Sequence, residues 1–225
     1  MTNIVLASNN KKKIAELETL LSGVSDGFLK VQSLRDIGFT GDIVEDGATF
    51  EENSLIKAGT PAKLGHIGIA DDSGLAVDYL NGAPGICSAR YSGEGATDET
   101  NRAKLLRELD GIPAEQRTAH FVCTAALVLP EKCGVTIPEE WRISAELSEK
   151  SGIPQERAMV VRGECPGRIL TEEIGEGGFG YDSLFYYEDY GKTFAEIPGE
   201  DKNKVSHRGN AMREFTRRLA VIFGK

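Results

Sequence analysis

The sequence is short of cysteine, of uninterrupted apolar runs and of net positive charge, and each shortage excludes a class of protein. Cys87, Cys123, Cys133 and Cys165 are the only cysteines in 225 residues. None forms a C-x-x-C pair and no histidine stands at ligand spacing from them, so neither a zinc site nor a disulfide framework is expected. They read as reduced thiols in the core or at the surface. No stretch approaches the roughly 20 apolar residues of a membrane span. Lys11, Lys12 and Lys13 interrupt any apolar leader, which points to a cytoplasmic protein. The formal net charge is −9, whereas nonspecific duplex binding needs basic surface to displace phosphate counterions. No nucleic-acid or membrane partner is therefore expected. The basic residues cluster instead, at Lys11–Lys13 and at Lys202, Lys204 and Arg208, which suits a small anionic ligand. With 40% hydrophobic residues, the chain can fill one core or two closely packed lobes.

Residues 3–8 are apolar and β-rich and read as a buried strand. Ile14, Leu17, Leu20 and Leu21 follow at helix-face spacing, ending at Gly23, so the chain opens as strand, polar turn and helix. A Gly- and Asp-rich loop over 41–47 precedes a helical stretch over 49–64, which Gly59 and Pro61 should weaken or break. Residues 66–70 form a second short strand running into a turn, Asp71-Asp72-Ser73-Gly74. Residues 82–95 read as loop, and 98–109 as a helix with Ala103, Leu106 and Leu109 inward. Strand-like runs over 119–129, 159–161 and 183–187 lack intervening helices, which suggests antiparallel pairing. A helix over 204–223 turns Met212, Phe215, Leu219 and Ile222 to one side. The expected architecture is an α/β unit with a β-rich second lobe and a ligand cleft between them.

Four segments carry candidate chemistry. The turn after the first strand, Ser8-Asn9-Asn10-Lys11-Lys12-Lys13, offers backbone N–H groups and a helix start to phosphate. It lacks the glycines of a Walker A loop, and ordinary capping explains it equally. Glu45, Asp46, Asp71 and Asp72 form an acidic set. Adjacent carboxylates at a strand mouth repel, and Mg²⁺ would relieve that repulsion; a solvated Asp turn is the competing explanation. Glycines around Phe179 in Gly177-Gly178-Phe179-Gly180-Tyr181-Asp182 would admit a base to stack on the ring, unless the aromatics of a tight hairpin enter the core. Ser206-His207-Arg208 places donors at a helix start, where they suit a keto oxygen, or Ser206 simply caps the helix.

Taken in order, the motifs are far more specific. They read Ser8-Asn9-Asn10-x-x-Lys13, Glu45-x-Gly47-x-Thr49-Phe50-x-Glu52-Asn53, Ala70-Asp71-Asp72-Ser73-Gly74-Leu75, Pro84-Gly85-Ile86-x-Ser88-Ala89-Arg90-Tyr91, Phe179-Gly180-Tyr181-Asp182 and Ser206-His207-Arg208. This series closely resembles the inosine triphosphate pyrophosphatase family from Ile4 to about Leu219. The resemblance implies two α/β lobes about a long mixed sheet flanked by helices, with the site in the cleft. It also implies Mg²⁺, a homodimer, and substrates such as ITP, dITP and XTP. By motif, Ser8, Asn9, Asn10, Lys11, Lys12 and Lys13 would hold the triphosphate. Glu45 and Asp72 would hold the metal, Asp72 would also serve as base, and Asp71 would support them. Ser73 would touch substrate, and Phe179, Gly180, Tyr181 and Asp182 would hold base and sugar. Lys202, five residues before His207, matches a substrate lysine, and His207 and Arg208 would read the 6-keto oxygen.

The expected chemistry is attack of a water, oriented or deprotonated by Asp72, on the α-phosphorus. Donors matched to a 6-keto purine would reject the 6-amino group of ATP. The chain would form one catalytic domain of two lobes. A stretch over about 133–158, holding Trp141 and a helix near 139–150, exceeds the length expected for the family and reads as an insertion away from the phosphate site. Two rival functions stand beside this one: a pyrophosphatase of related fold for pyrimidine or modified nucleotides, and a nucleotide sensor that does not hydrolyse.

Overall fold

A computed structural model describes residues 2–9, 11–25 and 27–224, apart from the side chains at 12, 16 and 23–25. Its opening is the expected strand, turn and helix: β1 (Thr2–Leu6), then α1 (Lys11–Ser25), which runs slightly past Gly23. There follow β2 (Leu29–Gln32), α2 (Phe50–Lys63), β3 (Ile67–Val77), α3 (Asp98–Glu108) and β4 (Thr118–Val128). The remainder is α4 (Ala145–Ser151), β5 (Ala158–Ile169), β6 (Phe185–Tyr187), β7 (Lys192–Thr193), α5 (Gly199–Val205) and α6 (His207–Phe223). The strands form one mixed sheet in the order β2-β1-β3-β4-β5-β6-β7. Its β2-β1-β3 part is parallel. The β5-β6-β7 part is antiparallel, in line with the absence of long helices between those strands.

The chain divides into two units, Met1–Asp72 with Thr124–Arg162 and Ala211–Lys225, and Ser73–Cys123 with Gly163–Asn210. In the first unit Ile4, Leu17, Leu21, Ile69 and Leu127 are almost fully buried, together with Met212, Phe215 and Leu219 of α6. The α6 face is thus the one its periodicity predicts, with Ile222 packed against its edge. In the second unit Phe121, Phe185 and Phe194 form an aromatic centre, with Phe185 4.6 Å from Phe121 and 4.8 Å from Phe194.

Several expectations require correction. The segment Asp71-Asp72-Ser73-Gly74 is not a turn but the middle of the 11-residue strand β3. Glycine and aspartate are poor strand formers in isolation, but sheet context overrides that preference. Neither Gly59 nor Pro61 breaks α2. Pro61 stands in the last turn, where its missing N–H removes one bond from a helix about to end. The inward face of α3 is Asn101, Leu105 and Leu109, while Leu106 is half-buried and Ala103 is exposed. The helix expected over 204–223 is two helices, because Ser206 between α5 and α6 is extended, at φ −68° and ψ 154°.

Two local features position α2. Thr49 caps it by accepting the Glu52 N–H at 3.1 Å, with Glu51 and Glu52 in the first turn where the helix dipole favours anions. Gly68 of β3 lies directly against it, since a Cβ there would stand 1.9 Å from the carbonyl oxygen of Ala58. Residues 139–150 are not one helix but a single 3-10 turn at Glu139–Trp141 followed by α4. Ile143 and Ile153, on either side of α4, are buried with Leu55, Ala58 and Ala62 of α2. Lys150 lies 3.5 Å from Glu52.

Candidate active site

The first unit brings Glu45 and Asp72 to a single ammonium group. Lys57 Nζ lies 2.7 Å from Glu45 Oε2 and 2.7 Å from Asp72 Oδ1. Three elements make this possible. β3 supplies Asp72 and α2 supplies Lys57 from the turn before Pro61. The loop at 45–48 is fastened to the start of α2, where Gly47 N–H donates to Asn53 Oδ1 at 2.9 Å and Ala48 N–H to Glu52 Oε2 at 2.7 Å. A side chain at Gly47 would collide with Asn53 Oδ1 at 2.7 Å, so the motif glycine permits this fastening.

Burial raises the Asp72 pKa, Lys57 opposes that rise, and the Glu45 charge reinforces it, leaving Asp72 above the ordinary carboxylate value. For Lys57, burial disfavours the ammonium, but Asp72 and Glu45 outweigh it and hold its pKa above normal. The result is a carboxylate readier to accept a proton than a solvated one, beside a cation that stays charged.

Asp71 does not join this cluster. Successive strand residues project to opposite faces, and Asp71, buried, accepts from Lys13 Nζ at 2.9 Å. The repulsion expected of adjacent carboxylates is therefore avoided by geometry, with one lysine for each. Ser73 is the exposed next residue of β3. In the turn before α1, Asn9 Oδ1 accepts the Arg35 N–H at 3.2 Å, and Ser8 N–H donates to the Leu6 carbonyl at 2.6 Å. Lys11 opens α1 and is exposed. Asn10 and the Lys12 side chain lie outside the described residues.

Sequence reasoning missed Lys57. Its signal was position: it falls four residues after Asn53 and four before Pro61, on the buried side of α2. A lysine there needs an acidic partner.

In the second unit, Phe179 is 76% exposed while Tyr181 and Asp182 are buried. Tyr181 OH donates to the Ser88 carbonyl at 2.8 Å, and Ser88 Oγ accepts the Leu75 N–H at 2.8 Å. Asp182 accepts from the Phe179 N–H at 2.9 Å and from Lys202 Nζ at 2.5 Å. The same ammonium lies 4.9 Å from the centre of the Phe179 ring. Thus one aromatic of the segment enters the core and the other is largely exposed, with a cation over its ring. His207 stacks on Phe121, with centroids 4.7 Å apart. Ser206 Oγ accepts the Gly209 N–H at 3.1 Å, capping α6, and Arg208 is half-buried in that first turn.

Among the described residues, no three of His, Cys, Asp and Glu form a metal-binding group. The Glu45–Asp72 pair is nevertheless a hard oxygen donor set of the size Mg²⁺ takes when phosphates complete its coordination. A cavity of about 450 Å³ elsewhere in the second unit, lined in part by Cys165, Arg168 and Tyr187, contains none of the candidate catalytic, metal or substrate residues.

Residues 4–218 match the Ham1 family. The chain belongs to the Ham1 family. It is 46% identical over 213 residues to the dITP/XTP pyrophosphatase of Desulfotalea psychrophila, covering 94% of this chain and 82% of that protein. It is 44% identical over 213 residues to the protein of the same name from Geobacter sulfurreducens, covering 94% of each. Among solved structures, a HAM1 protein from Coxiella burnetii superposes with a TM-score of 0.83 at 36% identity, covering 98% of this chain and 100% of that one. The nucleoside-triphosphatase, dITP/XTP pyrophosphatase, of Mycobacterium abscessus gives 0.75 at 39% identity, covering 95% and 97%. The mixed sheet flanked by helices is thus the fold of this family. No described helix is long and apolar enough to cross a membrane.

Proposed function

We propose that this chain hydrolyses deaminated purine nucleoside triphosphates (dITP, ITP and XTP) to the monophosphate and pyrophosphate, clearing them from the nucleotide pool. We further propose that it uses Mg²⁺ and acts as a cytoplasmic homodimer, with residues 133–158 an insertion within a single catalytic domain. The observation that carries the reading is the meeting of Glu45 and Asp72 at Lys57 in a member of the Ham1 family. Tight binding of a nucleotide does not require a carboxylate held in place to take a proton from water; hydrolysis does.

In the reaction Asp72 takes the proton of a water whose oxygen attacks the α-phosphorus. The bond from that phosphorus to the bridging oxygen breaks, and pyrophosphate leaves with the electron pair. Glu45 and Asp72 would hold Mg²⁺, which supplies charge neutralisation to the triphosphate. Lys57 keeps the two carboxylates together and adds a positive charge. Lys13 lies against Asp71, and with Ser8, Asn9, Asn10, Lys11 and Lys12 it belongs to the phosphate-binding end of the assignment. Phe179 offers a stacking face, and Asp182 with Lys202 offers a polar handle to base and sugar. His207 and Arg208 donate to a 6-keto oxygen, and an amino group there would set donor against donor.

The test is pyrophosphate release with Mg²⁺ from dITP, XTP, dATP, dGTP, dUTP and dTTP. The reading expects dITP and XTP to lead. A clear win for a pyrimidine or for dATP refutes it, as does binding of dITP without release. Asp72→Asn should abolish turnover while leaving nucleotide binding measurable, and undiminished turnover would remove Asp72 from its role.

A further inference from the structure

Phe179, Gly180 and Tyr181 belong to a segment with glycines at 175, 177, 178 and 180, of which residues 171–179 are exposed. Chain this rich in glycine has little stiffness of its own. Its shape must come from what holds it, and α3 supplies two charge-assisted bonds to it.

Asp98 and Arg102 stand one turn apart on α3 and so share a face. Gly180 N–H donates to Asp98 Oδ2 at 2.7 Å. The Gly180 carbonyl accepts from Arg102 Nη1 at 2.9 Å. Both hydrogen-bonding groups of one residue are therefore held, one by an anion and one by a cation, and such charge-assisted bonds are the strong ones. Arg102 Nε lies 2.8 Å from Glu173 Oε2, which also accepts from Ser183 Oγ at 2.9 Å. The network thus ties Gly180, through Arg102, to Glu173 and Ser183. A cavity of about 370 Å³ opens beside it, lined in part by Asp98, Arg102, Glu173, Phe179, Gly180 and Asp182, and small-molecule sites begin at about that size. Gly180 directly follows Phe179, so holding the peptide between them sets the point and direction from which the Phe179 side chain leaves the backbone.

We propose that Asp98 and Arg102 are positioning residues for nucleobase recognition: the clamp on Gly180 sets the Phe179 face on which the base stacks, and thereby the selectivity among bases. This rests on the reading above, in which Phe179 through Asp182 hold base and sugar.

The experiment compares dITP with 2′-deoxyribose 5′-triphosphate, which has the same phosphates and no base, in wild type, Arg102→Ala, Arg102→Lys, Asp98→Ala and Asp98→Asn. Arg102→Ala and Asp98→Ala should raise KM for dITP about tenfold with kcat within about twofold, the size expected for one lost charge-assisted bond. KM for the base-less compound should not move. Asp98→Asn keeps an acceptor for the Gly180 N–H and should recover most of the loss; Arg102→Lys keeps the charge without the fork and should fall between. Equal losses on both compounds, or a dITP KM unchanged in both alanine variants, would overturn the clamp's role while leaving the hydrolase reading intact. Wild-type protein that cleaves dITP no better than the base-less compound would end both.

Discussion

Lys57 Nζ touches Asp72 Oδ1 and Glu45 Oε2 at the same distance, 2.7 Å, so one side chain holds together the two carboxylates assigned to the metal. Replacing it with methionine leaves two half-buried anions facing each other. Lys57→Met should cost about 1–3 kcal/mol in chelator, a discount on the fully buried case because Glu45 is 36% exposed. Added Mg²⁺ should restore much of that stability, so its thermal shift should be larger in the variant than in wild type. Equal shifts in the two proteins would show that the pair does not receive the ion. Pyrophosphate release should drop by about 10²-fold, as for other removed charge-stabilising groups.

Gly178 has φ +77°, and a Cβ there would fall 2.2 Å from Asp182 Oδ2. Gly178→Ala must therefore strain the backbone and push the Asp182 carboxylate from Lys202. The expected outcome is a rise in KM for dITP of about tenfold, the value of one charge-assisted bond, with a smaller change in kcat. Steady-state kinetics check it, and an unchanged KM would separate Asp182 from substrate binding.

How much of this was legible in the sequence depends on which force shaped each part. The β1–α1 opening and the α6 face follow from local periodicity, and Met212, Phe215 and Leu219 are buried as their spacing predicts. The passage of β3 through Asp71 and Asp72 was not legible, because the neighbours that hold it lie far away in sequence: β1 pairs with it at Ile69, and Lys13 meets Asp71. The same holds for Asp98 and Arg102, whose role depends on Gly180, about 80 positions later in the chain. Motif order singled out Glu45 and Asp72, but not the lysine that lies between them. A charge on a buried helix face was the available clue, and the expectation that Gly59 and Pro61 weaken or break α2 drew attention away from that face.

Glu214 on α6 is held by two guanidinium groups, each at 2.7 Å. Hydrogen bonds from Arg217 and then Arg218 pull its pKa from 4.5 down to about 2. A depressed carboxylate contributes its stability above the unfolded value of 4.5 and loses it as pH falls toward about 2. Because the group is 35% exposed, screening keeps the gain to about 0.5–1 kcal/mol. Glu214→Gln should therefore melt about 2 °C lower than wild type at pH 7, with the gap closing between pH 4.5 and about 2. A gap that stays constant with pH would assign the loss to packing rather than charge.

Gly68→Ala is the substitution expected to damage both stability and turnover. Its methyl group would meet the Ala58 carbonyl at 1.9 Å, and overpacking of this kind costs about 1–3 kcal/mol or more. Chemical denaturation and the dITP assay should fall together. Normal activity in a destabilised variant would show that β3 and α2 tolerate a shift without consequence for Asp72.

Because main chain rests on main chain at Gly68 and Ala58, the spacing between the strand bearing Asp72 and the helix bearing Lys57 has no adjustable packing layer. Large-to-small or small-to-large changes in the apolar interior can alter how firmly the unit holds together, but they have no lever on the reach of that ammonium. Tuning the proton affinity of Asp72 by design would have to act on the loop that carries Glu45, the one member of the trio mounted on irregular backbone.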